Sequence, residues 1–114
     1  MKTHRVVFRA VDRAKFDDVR RGVKTIETRA GTPKYQNIEA GDELLFVCGK
    51  DSFTKRITAV KHFDSLDAMF DELPLKSIMP WANTRAEAYQ TYYSFPTYKE
   101  KLAEYGIVAF ELEQ

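Results

Sequence analysis

Only one of the 114 residues is cysteine, so no internal disulfide can hold this chain together. Two histidines, His4 and His62, are all that could join Cys48 as soft ligands, and no His/Cys group stands at metal-ligand spacing, so no metal site is expected. With four prolines and five glycines there is no Pro/Gly-rich linker, and neither a repeat nor a low-complexity run interrupts the chain. No apolar run approaches the ~20 residues a membrane-spanning helix needs, and no charged-then-apolar leader opens the sequence. A soluble, cytoplasmic protein is the expectation. Gly31, Gly41 and Gly49 are isolated, and none opens a helix in the pattern that cradles phosphates. There is no Gly-x-Ser-x-Gly elbow and no Ser, His and acid set that spacing singles out, and no cofactor is expected.

What is present suits one domain over 1–114, long enough to bury a core without staples. The net charge of +1 hides an asymmetry: 1–62 carry fourteen Lys and Arg against eight Asp and Glu, and 63–114 carry four against nine. A basic first half favours a face that attracts phosphates, provided the fold does not interleave the halves.

Arg5 to Phe8 reads as a first strand. Asp12 offers an oxygen to cap a helix through Phe16 and Val19, and Gly22 permits the left-handed turn that ends it. Arg20 and Arg21 suit the negative end of that helix. The polar connection 30–37 is long enough to act as a flap, with Tyr35 as its one large side chain. After Gly41-Asp42 comes the apolar run Glu43 to Cys48, read as a strand covered on both faces with Cys48 as a small buried hydrophobe. A turn over 49–52 leads into a return strand Phe53 to Phe63, where the alternation slips between Ile57 and Val60 and predicts a bulge. His62, alone at a strand end, reads as structural.

The second half is more helical. Ser65 caps Leu66 to Leu73, with Leu66, Met69, Phe70 and Leu73 on one face, and Pro74 ends it. Thr84 and Glu87 have the spacing of a capping box for a helix through Ser94, and Thr97 with Glu100 repeats the device. Gly106 closes that last helix before a final strand Ile107 to Leu112. Tyr89, Tyr92 and Tyr93 recur at helical spacing, which reads as core for most of the stripe, with Tyr93 the candidate to reach a cleft. Trp81 in a loop after Pro80 either stacks on a base or seals one end of the fold.

The stretch 20–29 concentrates charge where most chains place a plain strand. On a regular strand Thr25, Glu27 and Arg29 share a face, so Glu27 and Arg29 can pair. Lys24 reaches Glu27 only if it sits on the turn before the pleat becomes regular. By spacing alone, an exposed ion pair worth ~0 to 1 kcal/mol is the alternative to a site.

The ordered set Gly22-x-Lys24-Thr25-Ile26-Glu27-x-Arg29, Ile38-x-x-Gly41-Asp42, Phe63-Asp64-Ser65-Leu66, Ile78-Met79-Pro80 before a tyrosine-rich helix, and Tyr105 to Phe110 resembles the ASCH domain family. The resemblance covers nearly the whole chain. It implies an α+β fold, a small PUA-like mixed β-barrel of about five to six strands flanked by short helices. It also implies nucleic-acid or nucleoside chemistry, in a cleft lined by the lysine, acid and arginine of the first motif. Some relatives hydrolyse the acetyl amide of acetylated cytidine and some are ribonucleases. The amidohydrolase branch carries a threonine nucleophile where this chain has Glu27, a departure from that mechanism.

Three readings stay open. An RNA-binding domain would hold single-stranded RNA or a nucleotide through Lys24, Thr25, Glu27, Arg29, Tyr35, Trp81 and Tyr93. A hydrolase acting on RNA or a modified nucleoside would use Lys24 and Glu27 for proton transfer, with Glu72 as the candidate second acid. A non-nucleic-acid ligand or protein-interaction module would leave the charged strand as a solvated face. Whether Lys24, Glu27 and Arg29 converge in a concave pocket discriminates among them.

Overall fold

The computed structural model describes residues 1–114 and holds a five-stranded mixed sheet curled into a half-barrel, with six short helices. The strands are β1 (Thr3–Phe8), β2 (Ile26–Ala30), β3 (Glu43–Cys48), β4 (Asp51–Phe63) and β5 (Ile107–Leu112), in the spatial order β1-β3-β4-β5-β2. β1 and β3 are parallel and every other pair is antiparallel. The α+β class expected from the sequence is what the chain adopts. β1 and β2 are the two edges, and the gap between them is where the functional argument leads.

The thirteen-residue β4 makes the curl possible. Its first half pairs β3, its second half pairs β5, and the register shifts between Ile57 and Ala59, at the slip in alternation. A bulge adds twist and bends the strand, so one strand serves two differently oriented halves of the sheet. The turn before it is tighter than expected: Cys48 already faces Asp51, leaving Gly49 and Lys50 as the two-residue loop, with Gly49 at φ 59°.

β5 is buried on both faces. Val108, Phe110 and Leu112 enter a core with Val6, Phe46, Ile57 and Phe16, while Ile107 and Ala109 enter a second core with Ile26, Met69, Ile78 and Tyr92. The continuous apolar sequence 107–110 follows from that double burial. The apolar run of β3 was expected to be covered likewise, and it is not. Leu44, Phe46 and Cys48 are buried, but Leu45 and Val47 are half-exposed, because no helix packs over their face of the sheet.

The helices are α1 (Arg13–Arg20), α2 (Pro33–Gln36), α3 (Leu66–Glu72), α4 (Leu75–Ile78), α5 (Arg85–Ser94) and α6 (Tyr98–Tyr105), with a 3-10 turn at Ala10–Asp12. Ser65 accepts the Ala68 N–H at 3.1 Å and Thr84 accepts the Glu87 N–H at 3.2 Å, as the spacing predicted. Glu87 reaches back to the Asn83 N–H instead of that of Thr84. Thr97 does not repeat the device: it sits at φ 61° and turns its hydroxyl to the Pro96 carbonyl, because the chain must leave Pro96 through a left-handed residue. Gly106, at φ 70°, packs so closely on Phe63 that a Cβ there would collide with the Phe63 carbonyl oxygen. That contact needs glycine.

Candidate ligand cavity between the sheet edges

Lys24 lies just before β2 and curls back onto it. Its Nζ is 3.4 Å from Glu27 Oε1 and donates to the carbonyls of Ile26 (2.7 Å) and Ile78 (2.5 Å). Three acceptors match the three protons of an ammonium. On the other side of the carboxylate, Arg29 donates to Glu27 Oε2 from Nη2 at 2.9 Å and from Nε at 3.2 Å. Lys24 is 5% exposed and Glu27 4%, so the alternative of a solvent-exposed ion pair does not hold. β2 brings them together because Glu27 and Arg29 oppose Phe110 and Val108, on the concave side of the sheet. There the Arg29 guanidinium lies 5.1 Å from the centre of the Phe8 ring.

Burial pushes the Lys24 pKa down, with Glu27 pulling the other way and Arg29 adding to the depression. Burial also works against the charge on Arg29, yet Glu27 prevails and its pKa is raised. The arrangement is a closed Lys–Glu–Arg triad whose one carboxylate is shared by two cations.

This triad lines a cavity of about 260 Å³ that opens between the edges β1 and β2. Its walls include Phe8, Tyr92, Phe95 and Tyr98, and its mouth carries Arg9, Asp12, Lys15 and Trp81. Asp12 does not cap α1, as its position had predicted. Its oxygens instead take Arg9 Nε at 2.9 Å and Lys15 Nζ at 3.0 Å. Burial opposes that charge, but the two cations hold the carboxyl below its usual range. Lys15 stands 5.3 Å from the Trp81 ring and Arg9 5.5 Å from the Phe95 ring. The cavity lining holds four cationic side chains against two carboxylates, in a protein whose net charge is only +1. An anionic ligand matches that excess.

Two tyrosine hydroxyls from the second half tie down β2. Tyr92 OH and Thr28 Oγ1 are 2.5 Å apart, and Tyr98 OH accepts the Ala30 N–H at 3.1 Å. Burial raises the pKa of both tyrosines, so both remain neutral partners at physiological pH.

Of the residues expected at a site, Lys24, Glu27, Arg29 and Trp81 line the cavity; Trp81 is 39% exposed at its mouth. Three others do not. Thr25 sits at the start of the β2 ladder, where its N–H donates to Ser77 O and its carbonyl accepts from Leu112. Tyr35 belongs to α2, in place of the expected flap, and packs 6.5 Å from Phe110. Tyr93 is 49% exposed on the outer side of α5, with Lys99 over its ring. Glu72 pairs with Lys61 on the surface and His62 is exposed, so neither supplies a second acid or base to the cavity. Sequence reasoning missed Thr28, Tyr98, Phe95 and the Arg9–Asp12–Lys15 set. The i, i+3 charge spacing from Arg9 to Lys15 was the one signal that could have found any of them.

No protein-family model matches the sequence, and comparison with curated proteins gives no match. Among solved structures, the chain is similar to the crystal structure of hypothetical protein PH0355, at 24% identity and a TM-score of 0.83, over 99% of this chain and 98% of that one. It is also similar to the solution structure of protein PF0455 from Pyrococcus furiosus, at 26% identity and a TM-score of 0.75, over 97% of this chain and 96% of that one. The half-barrel these chains share is consistent with a PUA-like fold.

Proposed function

We propose that the protein is an ASCH-type RNA-binding domain, in which the cavity between β1 and β2 receives one unstacked base of a single strand. The observation that carries this reading is the pairing of a small aromatic-walled cavity with a cationic mouth. At about 260 Å³ the cavity lies just below the usual 300–1,000 Å³ of ligand clefts, a size for one base or nucleoside and no more. Arg9 and Lys15 at the mouth suit the flanking phosphates, while Trp81 offers a ring for the neighbouring base. The family resemblance of the 22–29 motif points the same way.

The roles of the triad differ from the sequence expectation. With all three of its protons engaged, Lys24 acts as an internal strut, and Arg29 is the cation that faces the ligand. Fluorescence anisotropy with labelled hexauridylate tests the reading. Arg29→Met is expected to weaken binding roughly tenfold or more. Lys15→Met and Arg9→Met, at the rim, each flatten the dependence of log affinity on log salt by about one unit. Binding unchanged in all three variants overturns the reading.

The second reading, a hydrolase acting on RNA or a modified nucleoside, is favoured by one feature: a lysine of lowered pKa beside a carboxylate in a cavity wall. Mass spectrometry on a nucleoside and short-RNA panel would detect its products, and Glu27→Gln would abolish them. Neither binding nor turnover would leave a small-ligand or protein-interaction module.

A further inference from the structure

On the free edge of β2, one residue keeps both its main-chain donor and its main-chain acceptor open. The bonds from Gly31 N–H to Gly106 O and from Leu112 N–H to Thr25 O, both 3.0 Å, fix the phase of the β2–β5 ladder. Antiparallel strands alternate bonded and non-bonded pairs. Glu27 and Arg29 therefore turn both main-chain groups to β5, as do the Thr25 carbonyl and the Gly31 N–H, and Ile26, Thr28 and Ala30 turn theirs away. The Ile26 carbonyl and both groups of Ala30 are already capped: Lys24 donates to the Ile26 carbonyl, Tyr98 accepts the Ala30 N–H, and the Thr32 N–H occupies the Ala30 carbonyl at 2.8 Å. Thr28 has no such cap, and it lines the cavity.

The opposite wall follows the same logic. The bond from Glu43 N–H to Lys2 O at 2.8 Å sets the phase of the parallel β1–β3 ladder, which directs the main-chain groups of Thr3, Arg5 and Val7 away from β3. Of these, Val7 lines the cavity. Buried main-chain donors and acceptors are almost always paired, so a donor and acceptor left side by side on a cavity wall mark a place for a partner.

We propose that the main-chain N–H and C=O of Thr28 read the hydrogen-bonding edge of the ligand. The cavity then selects a planar group that presents an acceptor and a donor side by side, as the Watson–Crick edge of an unstacked nucleobase does. This rests on the nucleic-acid reading above. An extended peptide is the other chemistry that pairs with a strand edge, but strand addition needs a run of open residues. The caps on the Ile26 carbonyl and on both groups of Ala30 break that run on either side of Thr28. The Thr28 hydroxyl is committed to Tyr92, so the readout belongs to the main chain and not to the side chain.

The test is amide hydrogen exchange by NMR on isotope-labelled protein, free and with each of the four ribonucleoside monophosphates and hexauridylate. In the free protein the Thr28 amide is expected to exchange fast between protected Glu27 and Arg29. A bound nucleotide slows it roughly tenfold or more. The counterpart of that nucleotide N-methylated on its Watson–Crick edge binds roughly tenfold more weakly. Nucleotide binding that leaves Thr28 exchange unchanged and tolerates the methyl group overturns the Thr28 assignment alone. So does a Thr28 amide as slow as that of Glu27 in the free protein. Absence of any nucleotide or RNA binding overturns the nucleic-acid reading and the assignment with it, as does protection of Thr28 by an extended peptide alone.

Discussion

Replacing Lys24 with methionine tests whether this lysine is a strut. The substitution keeps an unbranched side chain of similar length and removes only the ammonium. Two main-chain carbonyls, those of Ile26 and Ile78, then lose their donor in a buried setting, at about 1–3 kcal/mol for each acceptor left unpaired. Glu27 keeps Arg29 but loses its second cation. Against these losses stands the desolvation cost of the ammonium, which the variant no longer carries. The balance is a destabilisation of about 2–4 kcal/mol, well short of the full penalty for breaking a buried pair because Arg29 still neutralises the carboxylate. Urea unfolding followed by far-UV circular dichroism measures it, with the midpoint falling and the slope unchanged. Thermal unfolding should fall by roughly 10 °C. A Lys24→Met protein within about 0.5 kcal/mol of wild type would refute the reasoning, since a surface-like value is incompatible with three buried contacts.

Three further outcomes follow from the same contacts. Gly106→Ala, at φ 70° and against the Phe63 carbonyl, should destabilise by about 3 kcal/mol or more, whereas Gly49→Ala, at φ 59° with open space around it, should cost about 1 kcal/mol; paired urea melts compare them. Tyr92→Phe strips the Thr28 hydroxyl of its partner and should cost about 1 kcal/mol, and the double variant with Thr28→Val should lose less than the sum of the singles. The Asp42 carboxyl, held at about 2 by His4 and by the N–H groups of Glu39 and Lys2, has a folded pKa below its unfolded value of 3.8. Its stabilisation is therefore present above pH 3.8 and lost as the pH falls through 2, so wild type and Asp42→Asn should converge in acid melts over that window.

The elements were legible wherever local chemistry decides them. Ser65, Thr84 and Gly22 mark helix ends through their own side chain or backbone freedom, and the slip at Ile57 marked the bulge because alternation is a strand property. The coverage of β3 was not legible, since an apolar run reads alike whether a helix packs on its second face or not. Within the site, Glu27 and Arg29 could be paired from the two-residue period alone. Lys24 required knowing that its stem curls back from the turn. Tyr35 and Tyr93 were misplaced for one reason: an aromatic side chain announces that it will pack, and only the fold decides against what. The window at Thr28 was invisible, because it depends on ladder phase and on caps contributed by Lys24 and by Tyr98, far along the chain.

The central claim is that RNA enters the cavity between β1 and β2. Photocrosslinking of a single-stranded oligomer carrying 4-thiouridine, followed by peptide mass spectrometry, tests it most directly. Crosslinks should fall on Trp81, Tyr92, Phe95 and Tyr98 and disappear with excess unlabelled oligomer. Crosslinks confined to the basic outer residues Lys55 and Arg56 of β4, with none on the cavity, would contradict it.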